Sequence, residues 1–354
     1  MSPTPQPVAG PTAAAFISVV VPMRDAGRTL DRCLHALETQ DLPEDRYEIL
    51  LVDNGSTDRS VEIARRHPRV RLHDEPRRGA YNARNRGIDA CRGGIVAFTD
   101  PDCEPARGWL RAIDTALADP SIEIVCGPRR AGGDGLIRSL VDYEIAKDAS
   151  VLDGDDPTCM YGYTANLATR RRLFDEIGRF VDLPRGSDAL WVAEVARRRG
   201  CGAIRFAPDA SVIHHEMDGL GVYYRKVYAY ARHRVRGDAI LPIRALSAAE
   251  RWSVVRAVMR EQRVPAMRGA MLLAALAAGA AVWTAGSLAG RFARRTRASP
   301  IDPACGPEGQ PVPCDPMAGP VPGTHTVGPD RTLEAQRRRV GHPRPHRAGS
   351  SERR

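Results

Sequence analysis

The strongest constraint on the fold is the alternation of short aliphatic runs with helical stretches along the first 130 residues. Most of the runs are continuous rather than alternating, as is typical of strands buried on both faces. They lie at residues 17–21, 49–52, 70–72, 95–98 and 122–125. The helical stretches between them cover residues 29–39, 60–66, 80–91 and 109–118. Because strand and helix alternate, the sequence predicts an α/β domain with a Rossmann-like, mostly parallel central sheet flanked by helices.

Polar turns follow several of these runs, and ligands of parallel sheets bind at the carboxyl ends of the strands. Pro22 follows the first run and Asp53 the second, whereas Asp100-Pro101-Asp102 follows residues 95–99. Hard cations such as Mg²⁺ or Mn²⁺ prefer oxygen ligands and complete their shell with substrate phosphate. The paired acids therefore indicate a divalent metal held against a diphosphate. The local alternative is a structural turn, since Asp, Asn, Gly and Pro all favour tight turns.

A basic segment at residues 77–87 adds a second type of chemistry. Gly79 precedes a predicted helix, and Arg84 lies in its first turns, where a guanidinium can bind phosphate. The alternative is a solvated basic helix face. A G-x-G-x-x-G sequence after the first strand and a G-x-x-x-x-G-K-[ST] loop are both missing, which argues against a nicotinamide-binding domain and a P-loop enzyme.

Four segments in register resemble the family 2 inverting glycosyltransferases of GT-A fold. They read I-S-V-V-V-P, V-D-N-G-S-T-D, R-G-A-Y-N-A-R-N-R-G and F-T-D-P-D-C-E-P, and the resemblance extends over about residues 17–230. It implies that Pro22, Asp53 and Arg84 line the nucleotide site. It also implies that Asp100 and Asp102 form the D-x-D motif, with Asp102 as the main ligand of Mn²⁺ or Mg²⁺. Asn54 stands where a second Asp is frequent, a departure that bears on nucleotide preference.

The resemblance continues into the segment expected to serve the acceptor. Asp188 begins a predicted helix that extends to about residue 199, and it is the candidate base that takes the proton of the acceptor hydroxyl. The structural alternative is a helix cap. His214 ends a short apolar run, and the resemblance implies a contact with the metal or the diphosphate. A packing or surface role for His214 stays open.

The composition of the chain changes after the segment that resembles the glycosyltransferase domain. Its net charge of +9 is concentrated in arginine beyond Tyr223 and again beyond Arg291, and residues 223–234 mix aromatic with basic side chains. Such a mixture suits nucleic acid, a membrane interface or a phosphorylated lipid. Given the resemblance, we expect a membrane surface and no nucleic acid. Residues 269–290 contain no charged side chain and are long enough to cross a bilayer, although their alanine and glycine content also suits a buried or interfacial helix.

The resulting organisation has five parts. We expect a disordered leader at residues 1–15, the GT-A domain at 16–235, a basic amphipathic helical region at 236–268, a transmembrane or membrane-embedded helix at 269–290, and a disordered basic tail at 291–354. The eight cysteines include no C-x-x-C pair, which fits a reducing cytosol.

The predicted function is inverting transfer of a sugar from a nucleoside-diphosphate donor to an acceptor hydroxyl. The expected acceptor is a glycan or a lipid-linked molecule of cell-surface synthesis, and the catalytic domain is expected on the cytoplasmic side of the cell membrane. A catalytically silent nucleotide-binding protein and a sugar nucleotidyltransferase are the alternatives.

Overall fold

The computed structural model describes residues 15–131, 135–215 and 219–297, with the backbone alone for residues 294–297. The predicted leader, apart from its last residue, and the predicted tail beyond residue 297 lie outside the described residues.

A seven-stranded sheet and a three-stranded sheet form the centre of the fold. The strands are β1 (Ile17–Met23), β2 (Tyr47–Asp53), β3 (Val70–Asp74), β4 (Ile95–Thr99), β5 (Cys103–Pro105), β6 (Ile124–Cys126), β7 (Arg129–Ala131), β8 (Asn166–Arg170), β9 (Ile204–Phe206) and β10 (Val212–His214). The large sheet has the order β3-β2-β1-β4-β8-β6-β9, and the small one has the order β5-β10-β7. The predicted mostly parallel α/β architecture is confirmed, since β8 alone in the large sheet pairs antiparallel with its neighbours among the described strands.

Helices cover the sheet and then continue into a C-terminal helical layer. They are α1 (Leu30–Glu38), α2 (Ser60–Arg65), α3 (Ala80–Ala90), α4 (Trp109–Leu117), α5 (Gly135–Leu152), α6 (Leu173–Glu176), α7 (Ser187–Arg199), α8 (Leu220–Gly237), α9 (Ala248–Glu261) and α10 (Ala266–Arg297). The first four match the predicted helices to within about one residue at each end.

The buried β1 strand and the helix α3 are packed at unusually short range. Gly87 of α3 faces Val20 of β1, and a Cβ atom at Gly87 would lie only 2.3 Å from the Val20 Cγ1 atom. A larger residue at position 87 would therefore push α3 away from the sheet. Gly87 lies in the last turn of α3 (Ala80–Ala90), so this contact fixes the end of the helix against the sheet.

The helices α5, α8, α9 and α10 share a separate apolar cluster that includes Leu140, Tyr223, Val254 and Leu272. Within it, α10 packs lengthwise on α8 with very close backbones. The Tyr224 hydroxyl donates to the Ala275 carbonyl at 3.1 Å.

Two glycines of α10 set the separation of the two helices. A Cβ atom at Gly286 would lie 2.6 Å from the Tyr228 carbonyl oxygen, and one at Gly290 would lie 2.3 Å from that of Arg232. The part of α10 from Ala266 to Ala293 is long and apolar enough to cross a membrane by length and composition, and 22% of its apolar window is buried inside the protein.

Candidate functional site

The two carboxylates after β4 lie at the carboxyl end of the central strands, and α3 faces the first of them. Arg84 is buried, and its Nη2 atom donates to Asp100 Oδ1 at 2.5 Å. Burial by itself lowers the pKa of the Arg84 guanidinium, but the nearby carboxylate of Asp100 outweighs burial and the pKa is raised. Arg84 therefore stays charged. Besides the phosphate contact that the sequence predicts for it, Arg84 contacts the D-x-D turn.

The second carboxylate, Asp102, faces His214 because β5 and β10 pair antiparallel. In that pairing His214 lies opposite Cys103, the residue after Asp102. The His214 Nε2 atom is 3.6 Å from Asp102 Oδ2. The neighbouring His215 points to the other face of the strand and contacts Glu104 at 2.8 Å. Of the two histidines, His214 is thus the one directed toward the D-x-D turn.

The residues present fit a divalent metal. Asp102, Cys103 and His214 each offer a ligand atom within 4.8 Å of the others. Burial, followed by the charges of Asp100 and Asp102, raises the pKa of the Cys103 thiol well above its usual value. Hard cations such as Mn²⁺ and Mg²⁺ also prefer oxygen ligands to sulfur, so Cys103 is the least suitable of the three. One carboxylate oxygen and one imidazole nitrogen remain, a pair that suits Mn²⁺ better than Mg²⁺.

Asp188 is buried at the start of α7 and accepts hydrogen bonds on both carboxylate oxygens. The Tyr81 hydroxyl donates to Oδ1 at 2.7 Å, and the Ala189 N–H donates to the same oxygen at 3.0 Å. The Thr164 N–H and hydroxyl donate to Oδ2 at 2.9 and 3.0 Å. The Asp188 carboxylate is thereby fixed in orientation by groups from three separate parts of the chain.

The register of β4 and β8 brings the D-x-D turn and Asp188 to the same rim of the sheet, which is the edge formed by the carboxyl ends of the parallel strands. Thr99 at the end of β4 pairs with Asn166 at the start of β8, and its hydroxyl donates to the Ala165 carbonyl at 3.1 Å. Asp100 directly follows Thr99, and Thr164, which binds Asp188, directly precedes Ala165. Because the strands are antiparallel, the end of one and the start of the other coincide.

The predicted nucleotide-lining residues of the first two strands lie at the carboxyl end of the same sheet. Pro22 and Asp53 are at the ends of β1 and β2, where Met23 pairs with Asp53. Asp53 Oδ1 accepts from the hydroxyl of Ser56 at 2.5 Å, as the turn interpretation predicts.

Asn54, the departure noted in the sequence, connects this turn to the segment before α3. Its Nδ2 atom donates to the carbonyls of Glu75 and Arg77, each at 2.8 Å, and its Oδ1 atom accepts from the Gly79 N–H at 2.7 Å. An aspartate could accept the third of these hydrogen bonds but could not donate the first two. Asn54 thus fixes the loop that leads into α3.

Sequence reasoning missed four side chains that complete the site. Tyr81 and Thr164 lie within segments that the resemblance singled out, but no role was predicted for either. From α8, Lys226 approaches to 3.4 Å between its Nζ atom and His214 Nε2, and the Tyr230 ring lies 6.1 Å from that of Tyr163. Burial, followed by the charge of Asp188, raises the pKa of the Tyr230 hydroxyl, while Arg129 opposes the shift. The basic and aromatic helix therefore contributes directly to the site.

The chain matches a protein-family model, and it is also similar to several curated proteins. Residues 18–178 match the model of glycosyl transferase family 2. The chain is 31% identical over 189 residues to glycosyltransferase AglE of Haloferax volcanii, over 50% of this chain and 60% of that protein. It is 42% identical over 112 residues to the uncharacterized glycosyltransferase YibD of Escherichia coli, over 30% of this chain and 32% of that protein. The aligned part is thus less than two thirds of either relative.

A solved structure has a similar architecture. The mannosyltransferase PcManGT from Pyrobaculum calidifontis, in complex with GDP-Man and Mn²⁺, superposes with a TM-score of 0.52 at 22% identity, over 82% of this chain and 88% of that chain. At this identity the similarity concerns the fold.

Proposed function

The chain belongs to glycosyl transferase family 2 and has the GT-A fold, and from this premise we propose that it transfers a sugar from a nucleoside-diphosphate donor to an acceptor hydroxyl with inversion. The observation that carries the proposal is the convergence of the D-x-D turn and Asp188 on one rim, set by the β4–β8 register. A metal-and-donor site and a buried carboxylate at adjacent strand ends are the two parts that the reaction requires.

The donor diphosphate is proposed to bind beside Asp102 and His214, which would hold Mn²⁺ or Mg²⁺. A bound divalent cation supplies positive charge to the departing nucleoside diphosphate. Arg84 contributes a second positive charge, and its pairing with Asp100 keeps the guanidinium in place before the donor arrives. Pro22 and Asp53 are proposed to contact the nucleoside. A neighbour in fold binds GDP-Man and Mn²⁺, which supports a donor of this class.

Asp188 is proposed as the general base. Its carboxylate takes the proton of the acceptor hydroxyl while that oxygen forms a bond to the anomeric carbon and the bond from the anomeric carbon to the diphosphate oxygen breaks. Attack from the face opposite the leaving group inverts the configuration. Tyr81 and Thr164 orient the carboxylate by hydrogen bonds, in the way that a neighbouring side chain orients the base in many enzymes.

A screen of nucleotide sugars tests this function. Purified protein is incubated with each donor and MnCl₂, and release of nucleoside diphosphate and thermal stabilisation are both measured. We expect one donor to be hydrolysed slowly without acceptor and to stabilise the fold only when Mn²⁺ is present. Binding without turnover for every donor and acceptor would favour a silent nucleotide-binding protein, and pyrophosphate release from a nucleoside triphosphate with sugar phosphate would favour a nucleotidyltransferase.

We also propose that the protein associates with the cytoplasmic face of the cell membrane, where nucleotide sugars are available, with α10 lying in the plane of the interface. The helix α8 runs along α10 from Tyr224 to Arg232 and carries Arg225, Lys226 and Arg234. If α10 spanned the bilayer in this arrangement, these charges would enter the hydrocarbon at a cost of about 3 kcal/mol each. An in-plane helix avoids that cost.

The side of α10 that faces away from α8 has the side chains that an interface requires. Met267, Met271, Leu288 and Phe292 are exposed large apolar residues on this helix. We expect the double variant Met271→Ser/Phe292→Ser to bind phosphatidylglycerol vesicles at least tenfold more weakly in flotation, because two apolar side chains lose their burial. Val181→Ser, at an exposed apolar residue of the catalytic domain, serves as the matched control. Retention of the wild-type protein in membranes after alkaline carbonate extraction would contradict the in-plane arrangement.

A further inference from the structure

We propose that Arg185, which lies over the ring of Tyr230, forms a binding subsite for a phosphate group carried by the acceptor. The proposal rests on the proposed function, because the subsite is defined by its position next to Asp188. It adds a chemical class to the acceptor: a molecule with a phosphate group separate from the hydroxyl that attacks the sugar.

The position of Arg185 follows from the loop that leads into α7. Arg185 is three residues before Asp188, so its backbone lies within about 10 Å of the candidate base. Its guanidinium carbon is 5.2 Å from the centre of the Tyr230 ring. The Tyr230 ring also makes an edge-to-face contact with Tyr163, with 6.1 Å between the ring centres. Arg185 is thus placed at the exposed edge of the site, over an aromatic surface.

Two arginines near the end of α8 are exposed as well. Arg232 and Arg236 are four residues apart, on one face of the helix, and both are exposed. His233 lies between them in sequence, and burial followed by the charges of Arg185, Arg236 and Arg232 lowers its pKa. At neutral pH His233 therefore adds no positive charge beside these arginines.

Within the part of the chain that the structure describes, none of these three arginines has an acidic partner. Asp238, which is two residues after Arg236, pairs instead with Arg234 at 3.2 Å. By contrast, Arg129 and Arg84 at the same site pair with Asp148 and Asp100. Exposed guanidinium groups without acidic partners beside a reaction site are suited to an anion, and their planar fork matches phosphate oxygens.

The helix α8, which carries Tyr230, also packs on α10. A Cβ atom at Gly290 of α10 would touch the Arg232 carbonyl, so the subsite is next to the helix proposed to lie at the membrane. A phosphate there could belong to a lipid-linked acceptor or to a water-soluble sugar phosphate. Both have the same recognition chemistry, and the test below separates them.

Calorimetric titration of the full chain with phosphate monoesters in EDTA tests the subsite. The probes are farnesyl phosphate, uncharged farnesol and glycerol 3-phosphate. We expect Arg185→Gln to weaken farnesyl phosphate binding about tenfold or more, as expected for loss of a hydrogen bond between charged groups. Arg256→Gln removes an exposed arginine of α9 and should leave binding unchanged.

Each outcome has a defined meaning. Farnesyl phosphate binding more tightly than glycerol 3-phosphate supports a lipid-linked acceptor, and equal binding of the two supports a water-soluble one. Farnesol binding as tightly as farnesyl phosphate, or equal effects of Arg185→Gln and Arg256→Gln, would overturn the subsite. A phosphate bound in the donor pocket would be insensitive to Arg185→Gln. Donor hydrolysis by the wild-type protein is measured separately, so loss of the subsite proposal leaves the proposed transferase function independently testable.

Discussion

Replacing Asp188 by asparagine separates a catalytic role for this carboxylate from a structural one. Four hydrogen atoms point at its two oxygens, two at each. Asparagine keeps one oxygen and places an NH₂ group where the other was. In one orientation the NH₂ group faces the Ala189 N–H, and in the other it faces the Thr164 N–H.

The structural cost of this substitution can be worked out from those contacts. Either orientation leaves one buried backbone N–H without an acceptor, which costs about 1–3 kcal/mol in the free energy of unfolding. The catalytic cost is larger, because general-base catalysis contributes about 10²–10⁴ in rate, or about 3–5 kcal/mol in the activation free energy. We therefore expect Asp188→Asn to fold, to bind the donor with Mn²⁺ as the wild type does, and to lose at least about 100-fold in kcat.

The assay compares kcat at saturating donor with unfolding measured in urea. Ile113→Val serves as the control, since it removes one methyl group from the core at a cost of about 0.5–1.5 kcal/mol and lies on α4, away from the site. If Asp188 were only a structural residue, turnover would fall no further than in this control. A kcat for Asp188→Asn within about fivefold of the wild type would refute its assignment as the base.

Three further predictions concern the metal site, the turn after β2 and pH. Asp102→Ala should abolish the increase in nucleotide affinity that Mn²⁺ produces in calorimetry, and an unchanged increase would remove Asp102 as a ligand. Asn54→Asp should lower the free energy of unfolding by about 2–4 kcal/mol, because the hydrogen bonds to the buried Glu75 carbonyl and to the partly buried Arg77 carbonyl are lost; an unchanged urea midpoint would contradict this. Burial raises the pKa of the Glu48 carboxyl, but hydrogen bonds from Ser18 and Arg92 outweigh burial and hold it below its usual value. The contribution of Glu48 to stability is therefore present above about pH 4.5 and is lost as the pH falls further. In Glu48→Gln the free energy of unfolding should fall less steeply between neutral pH and pH 3 than in the wild type. An unaltered slope would contradict this prediction.

The sequence predicted the central strands and their helices because continuous aliphatic runs and helical periodicity are local signals. The strand-end acids Asp53, Asp100 and Asp102 could likewise be placed at one rim from the parallel topology alone. The antiparallel strand β8 could not be predicted in the same way. It is a five-residue segment whose position between β4 and β6 is set by pairing with distant strands.

The hydrogen bond from Tyr81 to Asp188 was beyond sequence reasoning for the same reason, since the two residues are 107 positions apart. One signal was available. Tyr81 lies one helical turn before Arg84, so a helix that presents Arg84 to the site also presents Tyr81. The contribution of Tyr230 had no comparable signal, because nothing local indicates that α8 returns to the sheet.

The pairing of β4 with β8 also bears on how such a protein can diversify. The spacing between the D-x-D turn and the residues that hold Asp188 is fixed by backbone hydrogen bonds between two central strands. Loops at the rim and the helices α8 and α10 can therefore change in length and composition without altering that spacing. For the proposed transferase, a change of acceptor can therefore arise at the periphery while the spacing between the D-x-D turn and Asp188 stays the same.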